Sequence, residues 1–198
     1  MGQSSAGDAL RCPWCGSDPL YQQYHDQEWG VPVWDSRDLF RKFTLDGFQA
    51  GLSWLTILRR TEGFDAAFEG FDPRHIAAYG DDDRTRLLGD ARIIRNRQKV
   101  DAAIKNAKAW CVMESGGESF SAFLWSFVGG EPLINHWKID GDVPATTPQS
   151  EAMSKALRQR GFGFCGPTIC YAFMQAVGMV NDHLVTCHCR DDGTTNAT

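Results

Sequence analysis

The segment 45–54 reads Leu45-Asp46-Gly47-Phe48-Gln49-Ala50-Gly51-Leu52-Ser53-Trp54 and combines an acid, two large aromatic residues and two glycines. Apolar residues with helical spacing precede and follow it, so the pattern predicts a helix that ends near Gly51 and a second helix capped by Ser53. Such a break would place Asp46, Leu52 and Trp54 near one opening. The alternative is a kinked core helix, in which Trp54 only packs and Asp46 is an exposed charge.

Outward from this segment, the chain predicts an all-α fold, because helix starts and stops recur and no segment has a convincing strand pattern. A cap at Asp35 or Ser36 begins the helix that leads to Gly51. The clearest amphipathic helix covers 96–114, where apolar residues recur at intervals of three and four. Shorter helices are expected over 19–25, from Ser53 to near Gly63, over 64–68, after Asp72, over 81–88, and after Ser119, Thr147 and Pro167, with a loop at 131–145.

A chain of 198 residues is long enough for one domain with a substantial core, and it has no internal repeat. We expect a single helical domain at 11–189, flanked by loose polar tails at 1–10 and 190–198. The 7 Trp and 12 Phe residues are too many to lie only in the deep core, so some should line a site.

The charge balance limits the kinds of partner. With a net charge of -5, the protein could contact nucleic acid only through a local basic face, which Arg92, Arg95, Arg97 and Lys99 could form. The alternative is an ordinary solvated helix flank. No apolar run approaches the roughly 20 residues that span a bilayer, and residues 1–10 lack the basic and then apolar pattern of a signal peptide. We therefore expect a cytoplasmic protein that does not bind membranes, whose seven cysteines are free or metal-bound.

Several motifs follow one another in a distinctive order. They are Asp18-Pro19-Leu20-Tyr21, Tyr24-His25-Asp26, Glu28-Trp29-Gly30, Gln49 to Trp54, Trp125-Ser126-Phe127 and Asn181-Asp182-His183. From about Cys12 to Cys187, the chain resembles the DNA-3-methyladenine glycosylase I family, a zinc-containing bacterial type within the helix-hairpin-helix glycosylase superfamily. The resemblance implies a helix-hairpin-helix bundle with a zinc site that ties the N- and C-terminal segments together. It also implies a monomer that acts on double-stranded alkylated DNA.

The resemblance further implies a pocket for a base that has left the duplex, with Asp46 as the catalytic carboxylate at its polar edge. The substrate-binding aromatic residues would be Trp14, Tyr21, Tyr24, Trp29 and Trp54. Adenine methylated at N3 is cationic, so aromatic faces attract it more strongly than adenine itself. No lysine is placed as a Schiff-base former, which predicts a monofunctional hydrolase that does not cleave the strand.

Two DNA contacts are expected beside this pocket. Gly51 and Leu52 would form a plug that enters the duplex where the base has left, although a buried leucine beside a kink is equally compatible with the pattern. The hairpin region at about 81–115 would grip phosphates through backbone amides, Arg97 and Lys99. An ordinary turn between helices is the alternative, since no Gly-x-Gly centre is present.

The family's zinc ligands match Cys12, His25, His183 and Cys187, whereas spacing alone favours four unrelated side chains. A helical turn would direct both His183 and Cys187 toward one ion. Four nitrogen and sulfur ligands leave no open position, which makes the zinc ion structural. Possible substitutes are Cys15, His188 and Cys189, while Cys111, Cys165 and Cys170 are expected to be core residues.

The sequence departs from the family pattern at two positions. Asp46 stands where family members usually carry Glu, and a retreat of about 1 Å can cost on the order of 100-fold in a preorganised site. Ala172 stands where some relatives have Ser. The first departure supports an alternative function, a non-catalytic binder of alkylated or distorted DNA. A further alternative to the glycosylase, a zinc hydrolase, would need an open metal position.

Overall fold

The computed structural model describes residues 10–190, so most of the two predicted tails, at 1–9 and 191–198, lies outside the described residues. The described part contains ten α-helices: α1 (Pro19–Gln27), α2 (Ser36–Gln49), α3 (Trp54–Leu58), α4 (Thr61–Ala67), α5 (Pro73–Ala77), α6 (Asp81–Gly89), α7 (Arg97–Ser115), α8 (Phe120–Trp125), α9 (Pro148–Gln159) and α10 (Pro167–Ala176). Short 3-10 helices cover Pro13–Cys15, Glu69–Phe71, Ser126–Val128 and Asp140–Asp142. The all-α prediction is confirmed.

The predicted helix starts are confirmed by their caps. The side chain of Asp35, rather than that of Ser36, accepts hydrogen bonds from two backbone amides at the start of α2. Ser53 caps α3 and Asn96 caps α7, and each side chain accepts from one backbone amide. These caps satisfy amides that have no partner within the helix, so the sequence determines the starts locally.

Two details of the predicted secondary structure are wrong. The helix expected from Ser53 to Gly63 ends at Leu58, and α4 begins at Thr61 and contains Gly63. Gly63 does not stop a helix; an added Cβ there would lie 2.7 Å from Cβ of Arg92, so close packing demands the glycine. The strands β1 (Leu133–Ile134) and β2 (Val180–Asn181) also pair in parallel, a contact between distant segments that local patterns do not reveal.

Aromatic side chains fill the main core between α2, α7, α9 and α10. Phe43 of α2 packs edge to face against Phe162 and Phe173, with ring centroids 5.7 and 5.6 Å apart. A second, smaller cluster joins the two ends of the described chain and contains Cys12, Tyr24, Trp29, Ala176, Leu184 and Cys187. Trp54 packs against both clusters, so the break after α2 lies where they meet. Within residues 10–190, no helix combines the length and apolarity needed to cross a bilayer.

Candidate active site and metal centre

A cavity of about 350 Å³ opens where the two hydrophobic clusters meet. It is lined by the predicted acid and all five predicted aromatic residues: Trp14, Tyr21, Tyr24, Trp29, Asp46 and Trp54. Small-molecule sites typically enclose about 300–1,000 Å³. The structure therefore brings the six residues together in a space of suitable size, and the alternative in which Asp46 is an exposed charge is wrong.

Asp46 lies near the C-terminal end of α2 and is only 4% exposed. Its Oδ2 atom has no hydrogen-bond partner among residues 10–190. Burial raises the pKa of the carboxyl to about 6, while the nearby charge of Lys42 acts in the opposite direction. A buried acceptor without a partner costs about 1–3 kcal/mol, so this oxygen is available to a polar group that enters the cavity.

Two indole groups of the cavity also lack hydrogen-bond partners. Nε1 of Trp14 and Nε1 of Trp54 are buried without an acceptor, and with Asp46 Oδ2 they make three of the four such atoms in the described part of the chain. The fourth belongs to Trp110, which does not line this cavity. Native proteins pair nearly all buried polar groups, so this concentration of unpaired atoms indicates a ligand site.

The aromatic rings of the cavity wall support one another. Trp14 packs edge to face against Tyr21 and Trp29, with centroids 5.1 and 4.9 Å apart. Tyr24 and Trp54 are tilted, with centroids 5.4 Å apart. Aromatic faces carry negative charge density and attract cations, so this wall suits a flat cationic ligand.

α10 supplies a part of the wall that our sequence-based prediction largely missed. Ala172, Gln175 and Ala176 all line the cavity, and their separations of three and four residues place them on one face of the helix. This spacing is the feature of the sequence that could have identified the three residues as members of one surface. The position of Ala172 means that its departure from the family pattern falls on the cavity wall.

Asp182 is a further cavity residue that was not predicted as part of the site, and its carboxylate is fully engaged. One oxygen accepts hydrogen bonds from Tyr171 Oη at 2.7 Å and Gln175 Nε2 at 2.8 Å. The other accepts from Asn135 Nδ2 at 2.6 Å and Trp137 Nε1 at 2.8 Å. This buried carboxylate therefore ties α10 to the segment after β1. Its position in the Asn181-Asp182-His183 motif was the one sequence signal for it.

Three other residues complete the wall of the cavity. Gln49 comes from the end of α2, within the quoted segment, and Asp140 and Val143 come from the predicted loop at 131–145. Irregular sequence without a hydrophobic period gives no indication of which loop residues reach a site.

The Gly51-Leu52 turn lies in the chain between two residues that line the cavity, Gln49 and Trp54. Gly51 has φ +78°, in the left-handed region that favours glycine. Gln49 Nε2 donates to Leu52 O at 2.9 Å and Leu52 N donates to Gln49 O at 2.7 Å, which closes the turn. The Leu52 side chain is 37% exposed, so the buried leucine considered as an alternative is wrong.

Lys99 does not lie where a phosphate contact requires. It is 8% exposed, and its Nζ donates to Phe48 O at 2.8 Å and to Ala50 O at 2.6 Å. The ammonium thus satisfies carbonyls that the end of α2 leaves unpaired, and burial lowers its pKa. The predicted phosphate contact of Lys99 is corrected to a structural cap.

The hairpin region predicted at 81–115 consists of α6, residues 90–96 and α7. Asn96 Oδ1 accepts from Lys99 N at 3.1 Å, so one amide of the α7 N-terminus already has a partner. Arg92 is exposed but bound to Asp90 at 2.7 Å. Arg97 is also exposed, with Nε 3.7 Å from Asp101 Oδ2. Arg95 and Arg97 therefore remain the residues of this region best placed to reach a phosphate.

Cys12, His25, His183 and Cys187 meet in a buried cluster that could hold a metal ion, and their ligand atoms all lie within 4.8 Å of one another. Cys187 Sγ is 3.5 Å from His25 Nε2 and 3.4 Å from His183 Nδ1, and Cys12 Sγ is 3.7 Å from His183 Nδ1. A tetrahedral zinc ion with ordinary bond lengths would separate nitrogen and sulfur ligands by about 3.5 Å. The cluster therefore has the dimensions that such an ion requires.

The second nitrogen of each histidine ring also has a partner. His25 Nδ1 lies 2.8 Å from Asp26 Oδ1, and His183 Nε2 lies 3.1 Å from Trp29 O. Asp26 is in turn held by Arg11, and this hydrogen-bonded pair lowers the pKa of the Asp26 carboxyl. Metal-binding histidines typically make such outer bonds, which fix the tautomer and the ring orientation. Arg11 and Asp26 were missed because neither has a recognisable ligand spacing.

The path between His183 and Cys187 differs from the prediction. It is a turn in which Cys187 N donates to Leu184 O at 2.8 Å, not a turn of an α-helix. Among the proposed substitutes, Cys15 Sγ donates to Cys12 O and stays outside the cluster. His188 and Cys189 take part in smaller groupings that include exposed or half-buried ligands, so the fully buried set of four is the better candidate.

Comparison with known proteins accounts for almost the whole described chain. A family model for methyladenine glycosylase matches residues 14–191. DNA-3-methyladenine glycosylase 1 of Escherichia coli (strain K12) is 51% identical over 179 residues, which cover 90% of this chain and 96% of that protein. A crystal structure of 3-methyladenine DNA glycosylase I has a TM-score of 0.91 and 53% identity, and covers 92% of this chain and 100% of that chain.

A structure of the Staphylococcus aureus glycosylase, solved for the basis of 3-methyladenine recognition, has a TM-score of 0.88 and 36% identity. That match covers 91% of this chain and 96% of the other. At these TM-scores and coverages, the chain shares the fold of the solved structures. The chain is therefore a member of the methyladenine glycosylase family.

Proposed function

We propose that this protein releases 3-methyladenine from alkylated DNA by hydrolysing its N-glycosidic bond. The observation that carries the proposal is the cavity itself, in which an unpaired buried carboxylate oxygen of Asp46 faces a space walled by aromatic rings. A nucleotide must leave the base stack before its base can enter such a space. The relatives, which are 3-methyladenine DNA glycosylases by name, support this choice of base.

Hydrolysis of this bond requires only modest catalysis, because the alkylated base is a good leaving group. The alkylated base carries a positive charge, so when its bond to the sugar carbon breaks, the bonding electrons neutralise the departing base. The sugar is left as an oxocarbenium ion, which takes up water and releases a proton. Asp46 would accept hydrogen bonds from the adenine edge, and its negative charge would stabilise the developing positive charge in a site from which water is largely excluded.

DNA binding would bring the base to the cavity. We infer that Leu52 enters the stack beside the flipped nucleotide, since it is exposed on a tight turn between two cavity-lining residues, Gln49 and Trp54. Arg95 and Arg97 would contact phosphates from the hairpin region, without reading the sequence. We further propose that the protein acts as a monomer on double-stranded DNA in the cytoplasm.

We propose that the metal of the buried cluster is zinc, because two thiolates and two imidazoles are the ligands this ion prefers. Cys12, His25, His183 and Cys187 would hold it and tie the beginning of the described chain to its end. Four protein ligands leave no position for a reactive water, so the ion would supply structure. The zinc-hydrolase alternative therefore has no support from this ligand set.

Chromatography of methylated duplex DNA after incubation with the protein tests the main proposal. We expect free 3-methyladenine with the native chain and little or none with Asp46→Asn. Absence of the free base at high concentration of the native chain would refute catalysis. Binding to a flipped-base analogue without release would then favour the non-catalytic binder, which the short side chain of Asp46 suggests. In that case Asp46→Glu should gain turnover.

A further inference from the structure

A buried lysine lies behind the aromatic wall of the cavity. Lys42 belongs to α2, one helical turn before Asp46, and is 9% exposed. Its Nζ lies 2.8 Å from Tyr24 Oη and 3.8 Å from the centroid of the Trp54 ring. The same ammonium lies 4.5 Å from the centroid of the Tyr24 ring. Lys42 therefore contacts two of the residues that line the base cavity.

The hydrogen bond between Lys42 and Tyr24 has a defined direction. An ammonium group donates hydrogen bonds and cannot accept them, whereas a phenol can do both. The Tyr24 oxygen must therefore accept from Lys42, and its own hydrogen points elsewhere. Since Lys42 is its one side-chain hydrogen-bond partner within residues 10–190, that hydrogen is free to be donated to a molecule in the cavity.

The burial of the Lys42 ammonium carries a desolvation cost in free energy. Within the described residues, Lys42 forms no ion pair with a carboxylate, and burial lowers the pKa of its ammonium to about 8. The interaction between Lys42 and Asp46 favours the charged form of each partner. A residue needed only for packing would more simply be apolar, because an isolated buried charge is strongly disfavoured.

We propose that Lys42 is a positioning residue of the base site, which orients the Tyr24 hydroxyl as a donor and keeps the Asp46 carboxylate ionised as an acceptor. This inference rests on the proposed function. The edge of adenine presents an amino donor and the N7 acceptor, which complement an acceptor beside a donor. Guanine presents two acceptors, O6 and N7, along the corresponding edge. The arrangement would thus select methylated adenine over methylated guanine.

Other charged and titratable groups surround the pair. Glu28, which directly follows α1, and Arg41 of α2 act on Lys42. Tyr24 and Cys170 lie near Asp46, and Asp140 and Asp182 line the same cavity. Among residues 10–190, Lys42 is the one cation whose charge lowers the pKa of Asp46. Its removal should therefore leave the carboxylate without its main electrostatic support.

The first experiment follows the Asp46 carboxyl directly in the free protein. Its carbon-13 resonance, assigned through Asp46→Asn, is titrated in the native chain, in Lys42→Met and in Lys42→Gln. Both substitutions remove the charge, so we expect the midpoint to rise by about one pH unit in each. Lys105→Met, which removes an exposed lysine of α7, serves as the control and should leave the midpoint unchanged. An unchanged midpoint in Lys42→Met would overturn the inference.

A second experiment tests the orientation of the hydroxyl. Lys42→Met and Tyr24→Phe should each lower the rate of 3-methyladenine release by about tenfold, and the double variant should be little worse than either. Lys42→Gln, which retains a donor, should preserve the selectivity for methylated adenine over methylated guanine better than Lys42→Met. Additive losses with unchanged selectivity would contradict the role of Lys42. If the native chain releases no base, the proposed function fails, but the carboxyl titration still decides whether Lys42 supports Asp46.

Discussion

The ammonium of Lys99 lies 2.6 Å from the carbonyl oxygen of Ala50, in the loop that carries the Gly51-Leu52 turn. It also binds the carbonyl of Phe48, so α7 is fixed to the end of α2 through one side chain. We predicted from the sequence that Lys99 contacts DNA. In the structure, its ammonium instead stabilises the segment that carries Leu52.

Lys99→Met should therefore destabilise the fold. It leaves two carbonyls without their donor, and we expect a loss of about 1–3 kcal/mol in the free energy of unfolding. Urea denaturation measures this loss, with Lys105→Met on the same helix as the exposed control. Equal stability of the two variants would show that solvent replaces the Lys99 bonds at no cost.

Base release should depend on pH through Asp46. Burial raises the pKa of this carboxyl to about 6, so protonation removes the acceptor as the pH falls through that value. We expect the rate to be highest above about pH 6 and to fall by about tenfold for each further unit of acidification. Single-turnover release of 3-methyladenine measured from pH 5 to 8 would check this, and a flat profile would mean that Asp46 need not be ionised.

Leu52→Ala should weaken binding to DNA that contains a flipped-base analogue. The loss of apolar surface should reduce affinity by roughly tenfold, whereas binding of free 3-methyladenine should not change. Leu133→Ala is a matched control because Leu133 has the same exposure of 37% but lies in β1. Fluorescence anisotropy with labelled duplexes would separate the two variants, and equal affinities would count against the plug.

Removal of the metal should loosen the ends of the chain before the main core. Cys187→Ser should abolish the binding of one zinc ion per chain and lower Tm by roughly 10 °C, a shift that corresponds to a few kcal/mol at this chain length. Cys15→Ser should retain the ion, since Cys15 lies outside the cluster. Metal analysis and thermal denaturation would test both, and retention of zinc by Cys187→Ser would exclude the proposed ligand set.

The elements that could be predicted are those whose signals are local. Asp35, Ser53 and Asn96 cap helices through bonds to amides two or three residues away, so the sequence around each cap suffices. Gly63 was misinterpreted because its small size matters for contact with Arg92, which is distant in the chain. The family's motif order identified the six main cavity residues, but hydrophobic periodicity alone could not.

Buried polar side chains were the hardest to predict. Lys42 and Lys99 are ordinary helix residues in the sequence, and nothing in their spacing indicates that their charges point inward. Asp182 likewise gives no local sign that four donors converge on its carboxylate. Each depends on which segments the fold places around it.

By itself, the sequence determined the all-α class, most helix limits, the six main residues of the cavity wall and the four members of the cysteine–histidine cluster. Only the tertiary structure decided that Asp46 is buried with an unpaired oxygen, that Leu52 is exposed and that two lysines are directed inward. The physical reason is the separation along the chain over which each interaction acts. Capping and periodicity act within a few residues, whereas burial, charge environment and ligand geometry arise between segments as distant as His25 and His183.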